Sequence, residues 1–351
     1  MKLNILKNIY SEFGITSALL QGRKVGMGLL VALLTTFYSC KTNTTENTST
    51  DTKATVNVHV PTFNPDSAYQ FVADQVAFGP RVPSTEAHKK CAQYFVNKLK
   101  SYGCTVIEQN FEAKTFDGKT HACKNIIASI NPEATKRILL TAHWDSRPFA
   151  DQDAKDKNKA IDGANDGGSG VAVLLEIARA IHADSAKPNV GIDILLLDAE
   201  DYGQPEGDTH PEMKDSWCLG SQYWAANKHV PNYQAYFGIL LDMVGAKDAK
   251  FALEGTSKMM AGEVQKKVWA IARGIGYGNT FVYQDVDPIT DDHVYINKIA
   301  QIPTIDIIEY EPSDGSFFSK TWHTHNDNLE NIDKNTLQAV GRTVLCAVYA
   351  E

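Results

Sequence analysis

The chain has 351 residues, 43% of them hydrophobic, and a formal net charge of -8. That length can bury one large core or two modest ones. The acidic balance argues against a nucleic-acid binder, which needs a basic face, and by itself names no partner.

In chain order, the first element is a leader. Arg23 and Lys24 precede the apolar run Val25 to Phe37, and Tyr38, Ser39 and Cys40 follow. A charged segment, a short apolar run and a small residue before the cut form the pattern of a secretory signal over 1–39. The run is short for a bilayer span. Cys40 sits as in a bacterial lipoprotein box, where the cysteine is acylated and becomes the first mature residue. Phe37 and Tyr38 stand where smaller aliphatic residues are usual, and an ordinary cleaved signal or a short anchor is the other reading. Between Lys41 and Ala54 the only apolar residue is Ala54, so the stretch cannot offset its chain entropy by burial and reads as a flexible tether. The expected organisation is a signal over 1–39, a lipidated Cys40 and tether over 40–60, and one folded domain over 61–351. Such a protein is exported, to the periplasm or outer membrane, and meets the membrane only through its lipidated end. Cys91, Cys104, Cys123, Cys218 and Cys346 follow Cys40 without a CxxC pair. Cysteine ligation of a metal is therefore not expected, and one disulfide among Cys91, Cys104 and Cys123 stays open.

Asp66 to Gly79 has a capping aspartate and helical apolar spacing, and Ser84 to Gly103 runs from a serine to a glycine, as helices do. Cys104 to Ala113 and Ala122 to Ile130 read as strands by alternation and β-branching. Continuous apolar runs follow at Arg137 to His143, Val190 to Asp198, Tyr236 to Val244 and Ile302 to Tyr310. Such runs suit strands buried on both faces of a parallel sheet. Helical segments lie near 170–183, 221–228, 257–275 and from 335 onward. Strands alternating with helices predict a single α/β domain with a mixed, mostly parallel central sheet and helices on both faces.

In such sheets ligands bind outside the carboxyl ends of the strands. There the sequence places "HWDSR" with His143 and Asp145, "DGANDGGSG" with Asp166, "DAEDYG" with Asp198, Glu200 and Asp201, then Asp242, "TDDH" with Asp291, Asp292 and His293, and "TWHTH" with Trp322, His323 and His325. Each alone reads most simply as a structural histidine, a turn or a solvated face. Their recurrence at successive strand ends points to one crevice. Carboxylate plus imidazole without thiolate suits Zn²⁺ in an open catalytic site. Asp166, Asp201 and His323 are the expected ligands, with Glu200 as general acid/base, because adjacent residues at a strand end point different ways.

These motifs, in this order, resemble those of the zinc-dependent aminopeptidase superfamily, and more narrowly the animal-type glutaminyl-peptide cyclotransferases. The resemblance runs from about Asp66 to the C-terminus. It implies one catalytic zinc on Asp166, Asp201 and His323. It also implies an Asp291 hydrogen bond to Asp242, and Trp322 and Phe318 as walls of a pocket for a glutamine side chain. Trp217 either replaces an aromatic wall from the longer Tyr202–Ser221 loop or packs in the core. The animal enzymes' disulfide is absent, since Ala142 and Val171 stand at its places. Asp201 stands where the family often has glutamate, so the backbone must approach the zinc more closely.

The implied reaction converts the N-terminal glutamine of a peptide or protein to pyroglutamate with release of ammonia, through Glu200, Asp242 and Asp291. The first rival is a two-zinc aminopeptidase that adds a second ion at His143 and Asp242. The second is a binding lipoprotein that kept the fold and lost catalysis; no ligand or base is missing, which argues against it. His325 is expected to be exposed or bonded within its loop, and Asp327 to shape that loop.

Overall fold

Two helices open the described chain, capped by Asn64 rather than the expected Asp66 and by Thr85 rather than the expected Ser84. The computed structural model describes residues 59–311 and 317–351; the leader, Cys40 and the proposed tether to Ala54 lie outside them. Helix α1, Pro65–Val76, is capped by Asn64, whose side chain accepts from the amides of Asp66 and Ser67. Asp66 instead lies in the first turn, where an acid suits the helix dipole. Helix α2, Glu86–Ser101, is capped by Thr85, which accepts from the His88 amide.

Strands β1, Thr105–Lys114, and β2, Thr120–Ile130, then pair antiparallel. The remaining α-helices and strands are β3 Arg137–His143, α3 Gly168–Ala183, β4 Gly191–Leu197, α4 Leu219–Ala226, β5 Phe237–Asp242, β6 Phe251–Leu253, α5 Gly255–Gly274, β7 Phe281–Asp285, α6 Asp292–Tyr295, β8 Thr304–Ile308 and α7 Lys334–Tyr349. The main sheet has the order β1-β2-β4-β3-β5-β8. Strands β4, β3, β5 and β8 are mutually parallel, and β2 joins β4 antiparallel. This is the mostly parallel mixed sheet expected from the four apolar runs.

The apolar runs are continuous because both sheet faces are covered. Ile192, Ile194 and Leu196 of β4 pack into the larger core with α1, α2, α3 and α7. Leu195 and Leu197 of the same strand point the other way, onto Trp224 of α4 and Ile296. Alternation along a strand thus feeds two cores. None of the five described cysteines is in a disulfide, which answers the question left open for Cys91, Cys104 and Cys123. No helix among the described residues is long and apolar enough to cross a membrane.

Candidate metal centre

Parallel strands bring their C-terminal ends to one edge of the sheet, and the polar motifs collect there. His143 is the last residue of β3 and Asp242 the last of β5. After β4 the chain turns sharply through Asp198 to Asp201. Asp291 is the N-cap of α6. Asp166 lies just before Gly167, the N-cap of α3. Gly167 has φ +76, and a Cβ there would come within 2.8 Å of Asp145 O and His143 Cε1. The glycine-rich stretch therefore lets α3 press against "HWDSR". Ala199, Cys218, Met243 and His323 all have positive φ. Non-glycine residues held in this region cost energy and collect at functional sites.

Nine of the residues singled out in the sequence line one cavity of about 210 Å³: Asp166, Glu200, Asp201, Trp217, Asp242, Asp291, Phe318, Trp322 and His323. Met243, Ile289, Thr290 and Ile308 complete the lining; as apolar or lone residues in loops and at a strand end, they gave no sequence signal. The His323 ring stacks on Trp322 at 3.7 Å between centroids and lies parallel to Trp217 at 5.8 Å. Phe318 packs on Trp322 at 4.6 Å. Trp217 is thus at the site rather than in the core. The long loop returns it against Gly203, where any side chain would strike the indole.

Donor atoms of Asp166, Asp201 and His323 lie within 4.8 Å of one another. His323 Nε2 is 3.1 Å from Asp201 Oδ1 and 3.7 Å from Asp166 Oδ2. Tetrahedral zinc, with bonds of about 2.0–2.2 Å, spaces its ligands about 3.4 Å apart. Asp201 Oδ2 is buried with no hydrogen-bond partner among the described residues. By contrast Asp193, buried at the opposite end of the sheet, accepts from Arg137, Ser129 and Tyr233. An oxygen left unpaired at this rim and a spacing that suits tetrahedral ligation both fit a cation.

His143, Asp166 and Asp242 form a second compact group. His143 Nε2 lies 3.0 Å from Asp166 Oδ1 and 3.1 Å from Asp242 Oδ1. Asp242 is held by His143, while one oxygen of Asp291 accepts from the Asp292 amide and the other has no hydrogen-bond partner among the described residues. Burial pushes Asp242 up to about 7; His143 opposes the rise and Asp291 adds to it. Glu200 is driven well above the ordinary carboxylate range, by burial first and then, against the pull of His143, by Asp291 and Asp201.

Glu200 and Asp201 point apart, as adjacent residues at a strand end do. Glu200 Oε1 receives the Cys218 thiol at 3.1 Å, while Asp201 faces His323. Two further buried acids grip the backbone on either side. Asp145 accepts from the amides of Glu200 and Asp201. Asp327 accepts from those of Asn165 and Asp166 at 2.7 and 3.0 Å. His325 is bonded to Asp153 at 2.9 Å, in a neighbouring loop. Sequence reasoning passed over Arg147, Asp151 and Cys218 here; a buried arginine amid acids gives no periodic signal.

A model of peptidase family M28 matches residues 125–348. The chain belongs to peptidase family M28. Among proteins of solved structure, it is similar to the glutaminyl cyclase of Bacteroides thetaiotaomicron, at 51% identity and TM-score 0.81, over 84% of this chain and 100% of that one. A protein of Parabacteroides distasonis described as a Zn-dependent exopeptidase is equally similar, at 51% identity and TM-score 0.81, with coverage of 84% and 100%. The glutaminyl-peptide cyclotransferase of Dictyostelium discoideum is 23% identical over 309 residues, covering 75% of this chain and 78% of its own.

Proposed function

We propose that this chain is an aminoacyltransferase that converts the N-terminal glutamine of peptides or proteins to pyroglutamate, releasing ammonia, with one catalytic zinc on Asp166, Asp201 and His323. The observation that carries the reading is the cavity. It joins three metal donors, an acid/base and aromatic walls in about 210 Å³, below the roughly 300–1,000 Å³ of sites for drug-sized ligands. That volume suits one folded side chain. Similarity to proteins named as glutaminyl cyclases supports the same reading.

In the reaction the free α-amine attacks the carbon of its own side-chain amide. The new C–N bond closes a five-membered lactam, and the old amide C–N bond breaks. Zinc, when bound, supplies Lewis-acid polarisation of the amide oxygen. Glu200 takes a proton from the attacking amine and returns it to the leaving nitrogen, a task that needs the raised pKa burial gives it. Asp242 and Asp291, on the cavity wall, orient the amine and amide nitrogens. Trp322, Phe318 and Trp217 hold the side chain folded for ring closure, a proximity effect. No water attacks, so a small site with aromatic walls helps.

The second reading, a two-zinc aminopeptidase releasing N-terminal amino acids, draws on the compact His143–Asp166–Asp242 group. What favours the cyclase reading is the similarity to proteins named as glutaminyl cyclases. His323→Ala is expected to lose both the bound zinc and ammonia release from a Gln-peptide. Wild-type values for both would reject the assignment. The localisation proposal, an exported lipoprotein anchored at Cys40 ahead of a domain over 61–351, rests on the leader and tether sequence alone.

A further inference from the structure

Arg147 lies beneath the cavity with no exposed surface. Its Nη1 donates to the main-chain oxygen of Asp201 at 2.8 Å and lies 3.4 Å from Asp201 Oδ1. Its Nε donates to Asp151 Oδ1 at 2.5 Å. That same Asp151 oxygen is 3.3 Å from His323 Nδ1, the ring nitrogen turned away from Asp166 and Asp201; the pair is a charge contact rather than an aligned hydrogen bond, since Nδ1 has no hydrogen-bond partner among the described residues. The guanidinium also lies over two aromatic rings, 4.4 Å from the centre of Phe149 and 4.5 Å from that of Trp217. Its Nη2 has no hydrogen-bond partner among the described residues, so stacking is the contact the rest of the group makes.

We propose that Arg147 and Asp151 are positioning residues, one unit that sets two of the three zinc ligands and an aromatic wall of the pocket. The proposal rests on the zinc reading above. A ligating histidine binds well when its second nitrogen is held, because the hold fixes the tautomer and the ring plane. Asp151, 3.3 Å away, supplies that hold for His323 by its charge, and Arg147 fixes Asp151 by charge and geometry. The same guanidinium steadies the tight turn at Asp201, where the shorter acid leaves little slack. Its flat face backs Trp217. Lysine cannot do this, because an ammonium has neither the fork of donors nor a plane to stack. The arrangement ties metal grip to pocket shape.

Two variants of the full folded domain test this, with zinc affinity read by chelator competition and KM read at saturating zinc on a Gln-peptide. Asp151→Asn keeps the shape and removes the charge. Zinc affinity is expected to fall about 10- to 100-fold, as for other outer partners of metal ligands, with KM little changed. Arg147→Lys is expected to lose zinc affinity to a similar degree and also to raise KM, because Trp217 loses its backing. Wild-type zinc affinity in Asp151→Asn overturns the proposal, as does an Arg147→Lys variant with both values unchanged. If Arg147→Lys fails to fold, Asp151→Asn decides alone. His323→Ala in the same assay separates the two levels of argument. If it too retains zinc, the ligand assignment fails; if it loses zinc while Asp151→Asn does not, only the positioning unit fails.

Discussion

Glu200→Gln should lower kcat by about 10²- to 10⁴-fold, the usual contribution of a positioned acid/base, while leaving the zinc content at the wild-type value. The two halves of that result follow from two directions taken by neighbouring side chains. Glu200 faces the cavity and the Cys218 thiol. Asp201 faces His323. Glutamine is nearly isosteric and leaves in place the main-chain bond from residue 200 to Asp145. It also removes one acid from a buried cluster whose members raise one another, so the melting temperature should hold or rise. Metal analysis and turnover of a Gln-peptide check both halves. Loss of zinc with loss of activity would mean that the two acids have exchanged roles.

Gly170→Ala should have the largest effect on stability. Gly170 lies in the first turn of α3, where an added Cβ would sit 2.1 Å from Leu241 O and 3.0 Å from the Ala142 side chain. Leu241 is in β5, paired with Ile307 of β8, so its oxygen belongs to the sheet and cannot yield. The helix must lift instead. Overpacking of this kind costs about 3 kcal/mol, a fall in melting temperature of roughly 5–10 °C for a domain this large. Gly274→Ala is the control, since a methyl there meets nothing within 4 Å; it should be neutral or mildly stabilising. Thermal unfolding of both variants measures the difference. Equal melting temperatures would contradict the close packing of α3 on β5.

Much of this was legible because its cause is local. Arg137 to His143 is a strand at the bounds its apolar run gives, since a strand covered on both faces leaves no ambiguity of period. The ligand candidates were legible because topology sends four strand ends to one rim. The misses have equally plain causes. Strands β6 and β7, of 3 and 5 residues, are too short to show a period. Helix α6 has four residues and is recognised only from its cap. The cap of α1 moved from Asp66 to Asn64 because both residue types cap well and spacing alone does not choose. Arg147 was passed over because a charged side chain in a loop reads as surface until its contacts with the Phe149 and Trp217 rings are seen.

The most direct measurement is mass spectrometry of a peptide with N-terminal glutamine after incubation with zinc-loaded protein, with bound metal counted in the same sample. The account predicts a product of full chain length, lighter by one ammonia, made by protein holding one zinc per chain. A peptide shortened by its first residue, made by protein holding two, would contradict it.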